Sequence, residues 1–146
     1  IKDARDMRAR MAETFPGRNG WDLKYAPGGL VDIEFIAQTL QLVHAQAQPE
    51  VLNTNTLAAL FNLKAAGFLT AADADALVAS AGLQHALTQV LRIALDETPD
   101  IDEATPGLKA LLTRAAGENS FAATQQRLAD LQSQTRAIFN RLLEVR

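Results

Sequence analysis

The sequence predicts an all-α protein, an irregular antiparallel bundle of about six helices. Three observations lead to this prediction. Apolar residues recur at the three- and four-residue spacing of a buried helix face. Residues typical of helix caps precede several of these segments, and most connections are short, which places consecutive helices side by side. The segments show no repeat of fixed period, so the pattern favours a bundle over a solenoid.

The first two predicted helices are separated by a loop that contains glycine and proline. Lys2–Thr14 is rich in Arg and Ala and predicts the first helix. Residues 15–26 predict a loop, and only at residues 21–25 is a short strand expected. Residues 28–48 predict the second helix, which Pro49 ends because proline cannot continue the helical hydrogen bonds.

Cap residues mark the third and fourth predicted helices. The side chain of Asn55 is suited to capping the third helix, and Gly67 occupies the position that a left-handed C-cap favours. Thr70 and Asp73 resemble a capping box in which Asp replaces Glu. They open a long fourth helix that extends to Ile93.

The last third of the chain predicts a loop and two helices. Residues 97–105 are acidic and contain a proline, which predicts a loop of solvated charge. Pro106 suits the first turn of a short fifth helix, and Gly117 ends that helix. Ser120 then caps the last helix, whose apolar residues form one stripe.

Composition limits the kind of protein. The 146 residues are 48% apolar and carry a formal net charge of -3, which gives no general electrostatic support for binding nucleic acid. Cysteine is absent, which excludes disulfides and thiolate metal sites and is compatible with a cytoplasmic protein. No stretch reaches the roughly 20 apolar residues of a membrane-spanning helix. We therefore expect a single soluble helical domain over residues 1–146.

The most informative stretch surrounds the start of the second predicted helix. Gly28 and Gly29 permit a tight turn, after which the helix begins at once. Lys24 lies on the approach to this turn, and Asp32 and Glu34 follow in the first helical turns. We expect exposed backbone amides and the positive end of the helix dipole to face any group that binds at the turn. The pattern predicts the edge of a phosphate or metal-nucleotide site.

Each of these residues also has a structural interpretation. Gly28 and Gly29 could form an ordinary turn, and Asp32 could complement the helix dipole, an effect of about 0.3 to 1 kcal/mol. Asp32 and Glu34 lie about 200° apart around a helix, which makes a shared metal ion unfavourable. We expect one of them to face the site and the other to form a structural pair.

Other conspicuous residues favour structural roles. Arg5, Arg8 and Arg10 are expected to form a solvated helix face rather than a nucleic-acid patch. Trp21 is expected to lie in the core or at a domain interface. His44 is expected to be a packing or surface residue, since lone helical histidines are seldom catalysts.

The order and spacing of several short motifs carry a resemblance to a known family. The chain resembles the helical region behind the nucleotidyltransferase core of glutamine synthetase adenylyltransferases, most sharply over residues 21–93. The matching motifs are Leu23-Lys24, Gly28-Gly29-Leu30-Val31-Asp32-Ile33-Glu34-Phe35, Gln38, Asn55-Thr56-Leu57 and Ala66-Gly67-Phe68-Leu69.

The resemblance implies a role within a larger enzyme. Enzymes of this family have two related halves: one transfers AMP from ATP to a tyrosine of glutamine synthetase, and the other removes it by phosphorolysis. The motif of residues 31–35 is more similar to the adenylylating half. The resemblance implies that Lys24, Gly28, Gly29 and one of Asp32 or Glu34 border ATP. It also implies that the domain helps to position glutamine synthetase, with the PII signalling protein as a regulator.

The catalytic residues that the family uses are expected to lie outside this chain. The family's core opens with a Gly-Ser pair followed by an Asp-x-Asp motif, and the sequence has no Gly-Ser pair. ATP and Mg²⁺ are thus expected in the full-length enzyme and not in the isolated domain, which is predicted to be inactive. Since the chain begins with Ile1, we expect a piece from the C-terminal end of a larger enzyme, with residues 1–20 as the tail of a preceding linker helix.

Two alternative interpretations remain open from the sequence. The chain could be the corresponding domain of the phosphorolytic half or of a PII uridylyltransferase, which would use a similar helical region. It could instead be a stand-alone helical protein-interaction module, which predicts an exposed apolar groove and no affinity for nucleotides.

Overall fold

The computed structural model describes residues 1–15, 19–94 and 100–143, and these ranges contain six α-helices and no strand. Single 3-10 turns lie at Pro49–Val51 and Ile101–Glu103. The predicted all-α bundle is therefore confirmed. The helices are α1 (Lys2–Thr14), α2 (Leu30–His44), α3 (Thr56–Ala65), α4 (Ala71–Ala94), α5 (Pro106–Ala116) and α6 (Phe121–Leu143).

The two longest helices, α4 and α6, pack against each other in the middle of the bundle. The first half of α4 and the end of α6 share an apolar core with α2 and α3. The second half of α4 and the first half of α6 share another core with α5 and with Trp21 and Leu23. Each of the helices α2 to α6 thus buries apolar residues against at least two neighbours.

Trp21 belongs to the second of these cores. Its side chain is 6% exposed, and its ring stacks on the ring of Phe121 with 5.7 Å between the centroids. The expectation that Trp21 is a core residue is confirmed. The indole also brings the loop before α2 into contact with the start of α6.

Caps at the helix ends follow the sequence closely. Side-chain oxygens of Asn55, Thr70 and Ser120 accept hydrogen bonds from backbone N–H groups in the first turns of α3, α4 and α6. Gly67 and Gly117 adopt left-handed angles, with φ of 83° and 70°, after α3 and α5. These caps depend on local geometry alone, which is why the sequence predicts them.

Two local predictions are wrong. The helix predicted over residues 28–48 begins only at Leu30 and ends at His44, because Gly28 is left-handed and Gly29 is extended. Residues 21–25 form turns rather than a short strand. The predicted loop over residues 97–105 begins outside the described ranges, and its described part contains a 3-10 turn.

None of the described helices is long and apolar enough to cross a membrane.

Candidate functional site

The carboxylate of Asp32 lies at the meeting point of three helices and a turn. Asp32 stands in the first turn of α2 and is 0% exposed. It accepts hydrogen bonds from Nε of Arg8 at 2.6 Å, from the backbone N–H of Gly28 at 2.6 Å and from Nη1 of Arg136 at 3.2 Å. Two cations and a backbone amide compensate the burial of this charge. We call these four residues the Asp32 junction.

Arg8 enters this junction from α1 and is itself buried. Its Nη2 donates to the carbonyl oxygen of Tyr25 at 3.0 Å, and its Nη1 is buried without a hydrogen-bond partner among the described residues. The expectation that Arg5, Arg8 and Arg10 form one solvated face is therefore wrong for Arg8. The burial of Arg8 follows from tertiary packing, since it lies one helical turn after Ala4, which packs against the core.

The Gly28-Gly29 turn is packed directly against α6. A Cβ atom on Gly28 would lie 1.9 Å from the carbonyl oxygen of Gln132, and one on Gly29 would lie 2.5 Å from the carbonyl oxygen of Leu23. Gly28 also has a φ of 78°, which side chains with a Cβ rarely adopt. Close packing therefore requires both glycines, independently of any ligand.

A buried polar network holds this turn from the inside. Nε2 of Gln84 donates to the carbonyl oxygen of Gly28 at 3.0 Å, and Nε2 of Gln132 donates to the carbonyl oxygen of Gly20 at 2.7 Å. Gln132 also donates to Oε1 of Gln84 at 3.2 Å. The hydroxyl of Ser80 accepts from Gln84 at 2.9 Å. Backbone groups that would otherwise be buried without partners are thereby satisfied.

This network is not among the features predicted from the sequence, although a signal was available. Ser80 and Gln84 occupy positions on α4 between the buried residues Leu77 and Leu87. Polar residues on the apolar face of a helix are informative because they need hydrogen-bond partners in the core. Their partners, however, lie on α6 and in the turn, which the sequence could not pair with them.

The expectation of exposed amides at the start of α2 is wrong. The N–H groups of Gly29, Leu30 and Val31 donate to the carbonyl oxygens of residues 26, 23 and 24, at 2.7, 2.8 and 3.0 Å. The loop before α2 folds back over the helix end and satisfies these donors itself. These three amides are therefore already bonded within the chain and do not form a ready anion site.

Lys24 and Glu34 are the two predicted site residues whose side chains reach the surface. Both are exposed, and Nζ of Lys24 lies 5.2 Å from the centroid of the Tyr25 ring. Lys24 belongs to the loop that covers the end of α2, and Glu34 lies on α2 itself. Asp32 forms the structural pair with Arg8. The nucleotide contacts of all these residues stay predictions.

A surface groove begins one helical turn beyond Glu34. It has a volume of about 390 Å³ and lies between α2 and the segment before α3. Gln38, Leu42, Leu52 and Thr56 contribute to its lining, which consists of uncharged residues. Leu42 and Leu52 are both more than half exposed. The groove thus contains the apolar side chain of Leu42, two helical turns beyond Glu34 on α2, together with Leu52.

Two other residues that could ligate a metal, His44 and Asp100, have structural surroundings. The ring of His44 stacks on Phe68 with 3.7 Å between the centroids, as expected for a packing residue. The carboxylate of Asp100 accepts the backbone N–H of Asp102 at 3.1 Å and caps a 3-10 turn. Among the described residues, no group of three His, Asp or Glu side chains is placed to hold a metal ion.

The chain is similar to proteins of a known family. The family model described as GlnD PII-uridylyltransferase matches residues 3–143. A bifunctional glutamine synthetase adenylyltransferase/adenylyl-removing enzyme of Rhodopseudomonas palustris (strain TIE-1) is 45% identical over 141 residues. Proteins of the same name from Bradyrhizobium diazoefficiens and Xanthobacter autotrophicus are 40% and 42% identical over 142 residues.

These alignments cover 97% of this chain but only 14% of each relative. The chain thus spans about one seventh of the length of the curated relatives that it matches. The resemblance to glutamine synthetase adenylyltransferases is confirmed by these identities. The match over residues 3–143 shows that the chain belongs to the GlnD PII-uridylyltransferase family.

Proposed function

We propose that this chain is the helical domain of the adenylylating half of a glutamine synthetase adenylyltransferase. The observation that carries the proposal is the identity of 40 to 45% to enzymes of that name over 97% of the chain. The similarity of residues 31–35 to the adenylylating half supports the choice between the halves. In this proposal the domain belongs to a longer cytoplasmic polypeptide whose nucleotidyltransferase core precedes it.

The domain completes the nucleotide site from the helical side. Lys24 and Glu34 border ATP from the surface, while Asp32 holds the buried Gly28-Gly29 turn in place. An exposed ammonium group fits a triphosphate, and the carboxylate of Glu34 accepts hydrogen bonds for which the ribose hydroxyls of ATP are matching donors. When bound, ATP supplies the AMP group. Mg²⁺ and the target tyrosine are held by the preceding core.

Protein partners follow from the same proposal. The target tyrosine belongs to glutamine synthetase, and the groove beside Glu34 supports a contact with that protein because exposed Leu42 and Leu52 line it. The PII signalling protein is the proposed regulator. The isolated chain is expected to be strongly helical by circular dichroism and to transfer no AMP.

A second candidate is the corresponding domain of the phosphorolytic half or of a PII uridylyltransferase. The observation that favours it is the description of the matching family, which names PII uridylyltransferase. The same helical domain would then border a nucleotide in a different reaction. The two candidates differ in which activity of the full-length enzyme depends on Lys24 and Glu34.

Variants of the full-length enzyme distinguish these candidates. Lys24→Ala and Glu34→Gln are expected to lower the rate of AMP transfer by about tenfold or more, which corresponds to about 1.4 kcal/mol of transition-state energy. The rate of adenylyl removal should stay at the parental value. Lys64→Ala is the matched control, because Lys64 is a partly exposed lysine that pairs with Asp75 on α4 at 3.0 Å.

Each activity is measured on the same enzyme preparation with glutamine synthetase as substrate. Loss of adenylyl removal with unchanged AMP transfer would assign the domain to the phosphorolytic half. Parental rates of both activities in Lys24→Ala and Glu34→Gln would overturn the proposed site.

A further inference from the structure

A single guanidinium connects the two parts of the chain that carry Lys24 and Glu34. Arg8 donates from Nη2 to the carbonyl oxygen of Tyr25 at 3.0 Å and from Nε to Oδ1 of Asp32 at 2.6 Å. Tyr25 directly follows Lys24, and Asp32 lies two residues before Glu34 on α2. Arg8 therefore bonds the loop beside Lys24 and the helix of Glu34 at the same time.

A second contact from α1 reaches the same residue of the loop. The ring of Phe15, directly after α1, stacks on the ring of Tyr25 with 4.9 Å between the centroids. Arg8 is the only buried residue among the 13 residues of α1. The side-chain hydrogen bonds and the ring stacking that connect α1 and Phe15 to the rest of the chain thus reach Tyr25 and Asp32, next to the two exposed charges of the candidate site.

Arg136 provides an internal comparison. It also binds Asp32, from α6, with Nη1 3.2 Å from Oδ2, and its guanidinium lies 4.5 Å from the ring centroid of Phe139. Its side-chain hydrogen bonds within the described residues go to Asp32 alone. Both arginines therefore neutralise the buried carboxylate, but only Arg8 also holds Tyr25.

We propose that Arg8 is a positioning residue for AMP transfer, which holds Lys24 at a set distance from Glu34 by bonding Tyr25 and Asp32 together. This inference rests on the proposed function of the two exposed side chains. Arg suits the task because its planar group directs donors toward two acceptors at once. A lysine at this position keeps a cation beside Asp32 but offers one compact ammonium group.

The test uses four variants of the full-length enzyme. Arg8→Lys and Arg8→Met are expected to lower kcat for AMP transfer by about tenfold or more, with KM for glutamine synthetase unchanged. Arg136→Met removes the other cation of Asp32 and should stay within about threefold of the parental kcat. Arg5→Met changes an arginine that pairs with the neighbouring Asp6 on α1 and should have no effect.

Hydrogen exchange in the 146-residue chain gives a readout that is independent of activity. The N–H groups of Leu30 and Val31 donate to the carbonyl oxygens of Leu23 and Lys24, so their exchange reports opening of the loop from α2. In Arg8→Lys these two amides should exchange about tenfold faster or more. The amides of α3 should exchange at the parental rate.

Each outcome either supports or overturns the proposed role of Arg8. Equal losses of kcat in Arg8→Lys and Arg136→Met would overturn it, because they would show a role in neutralising charge alone. Parental kcat or parental exchange of the loop amides in Arg8→Lys would also overturn it. If Arg8→Met does not fold, Arg8→Lys decides the same question. Parental AMP transfer in Lys24→Ala would instead contradict the proposed function, and exchange would still show whether Arg8 holds the loop.

Discussion

Gly28 and Gly67 have nearly the same backbone conformation in different surroundings. Their φ angles are 78° and 83°, both in the left-handed region. A Cβ on Gly28 would lie 1.9 Å from a carbonyl oxygen of α6, whereas one on Gly67 would have no heavy atom of the described residues within 4 Å. Glycine is therefore favoured at position 67 by its backbone angle alone. At position 28 it is required by the backbone angle and also by the close packing against α6.

The same contrast separates two ion pairs. Asp32 is fully buried between two arginines, whereas Asp73 pairs with the exposed Arg141 at 2.7 Å. That hydrogen bond, aided by the charge of Asp73, raises the pKa of Arg141 above its ordinary value. Asp32 is buried where three helices meet, while the pair of Asp73 and Arg141 joins α4 and α6 at the surface. Substitutions in the two regions should therefore lower the free energy of unfolding by different amounts.

The largest effect is expected for Gly28→Ala. The added Cβ collides with the backbone of α6 and also disfavours the left-handed angle, so the free energy of unfolding should fall by about 4 kcal/mol or more. Gly67→Ala, which meets open space, should cost only about 1 to 2 kcal/mol. Urea unfolding of the two variants measures the difference. Equal costs would contradict the packing of the turn against α6.

The next effect concerns the buried charge. Asp32→Asn leaves Arg8 and Arg136 beside a neutral group, and the free energy of unfolding should fall by about 3 to 5 kcal/mol. Asp73→Asn leaves only the exposed Arg141 without its partner and should cost less than about 1 kcal/mol. Thermal unfolding followed by circular dichroism compares the two. A small loss in Asp32→Asn would show that the Asp32 junction is solvated in solution.

A smaller effect is expected in the polar network. Gln132→Met leaves the carbonyl oxygen of Gly20 and Oε1 of Gln84 without this donor, which should cost about 1 to 3 kcal/mol. Gln134→Met changes an exposed glutamine of the same helix and should stay within about 0.5 kcal/mol. Urea unfolding compares the free energies of unfolding of the two variants. Equal unfolding midpoints would argue that water molecules replace the hydrogen bonds of Gln132.

The smallest effect is expected at Arg141. Arg141→Met should lower the free energy of unfolding by less than about 1 kcal/mol in dilute buffer, because an exposed ion pair gains little over its hydrated partners. The loss should shrink further in about 1 M salt, where the screening length is only about 3 Å. Unfolding at the two salt concentrations checks this. A loss that does not change with salt would place the pair in a buried setting.

These contrasts explain which parts of the molecule the sequence could predict. Helix ends capped by Asn55 or Ser120 were predictable, because cap and helix are neighbours in the chain. Asp32 was identified as a candidate for a structural pair, but its partners Arg8 and Arg136 lie 24 and 104 residues away. Their convergence depends on tertiary packing, which no local pattern records. The amides of α2 are covered by carbonyl groups only three and seven residues earlier in the chain, in a loop conformation that the glycine and proline pattern did not specify.

We propose that Lys24 acts in AMP transfer, whereas Asp32 holds the structure. The most direct test measures the melting temperature of the chain and the AMP transfer rate of the full-length enzyme for Lys24→Ala and Asp32→Asn. We predict that Lys24→Ala loses about tenfold or more in rate and shifts the melting temperature by less than about 2 °C. Asp32→Asn should lower both. A Lys24→Ala enzyme that transfers AMP at the parental rate, or that loses stability and rate together, would contradict this claim.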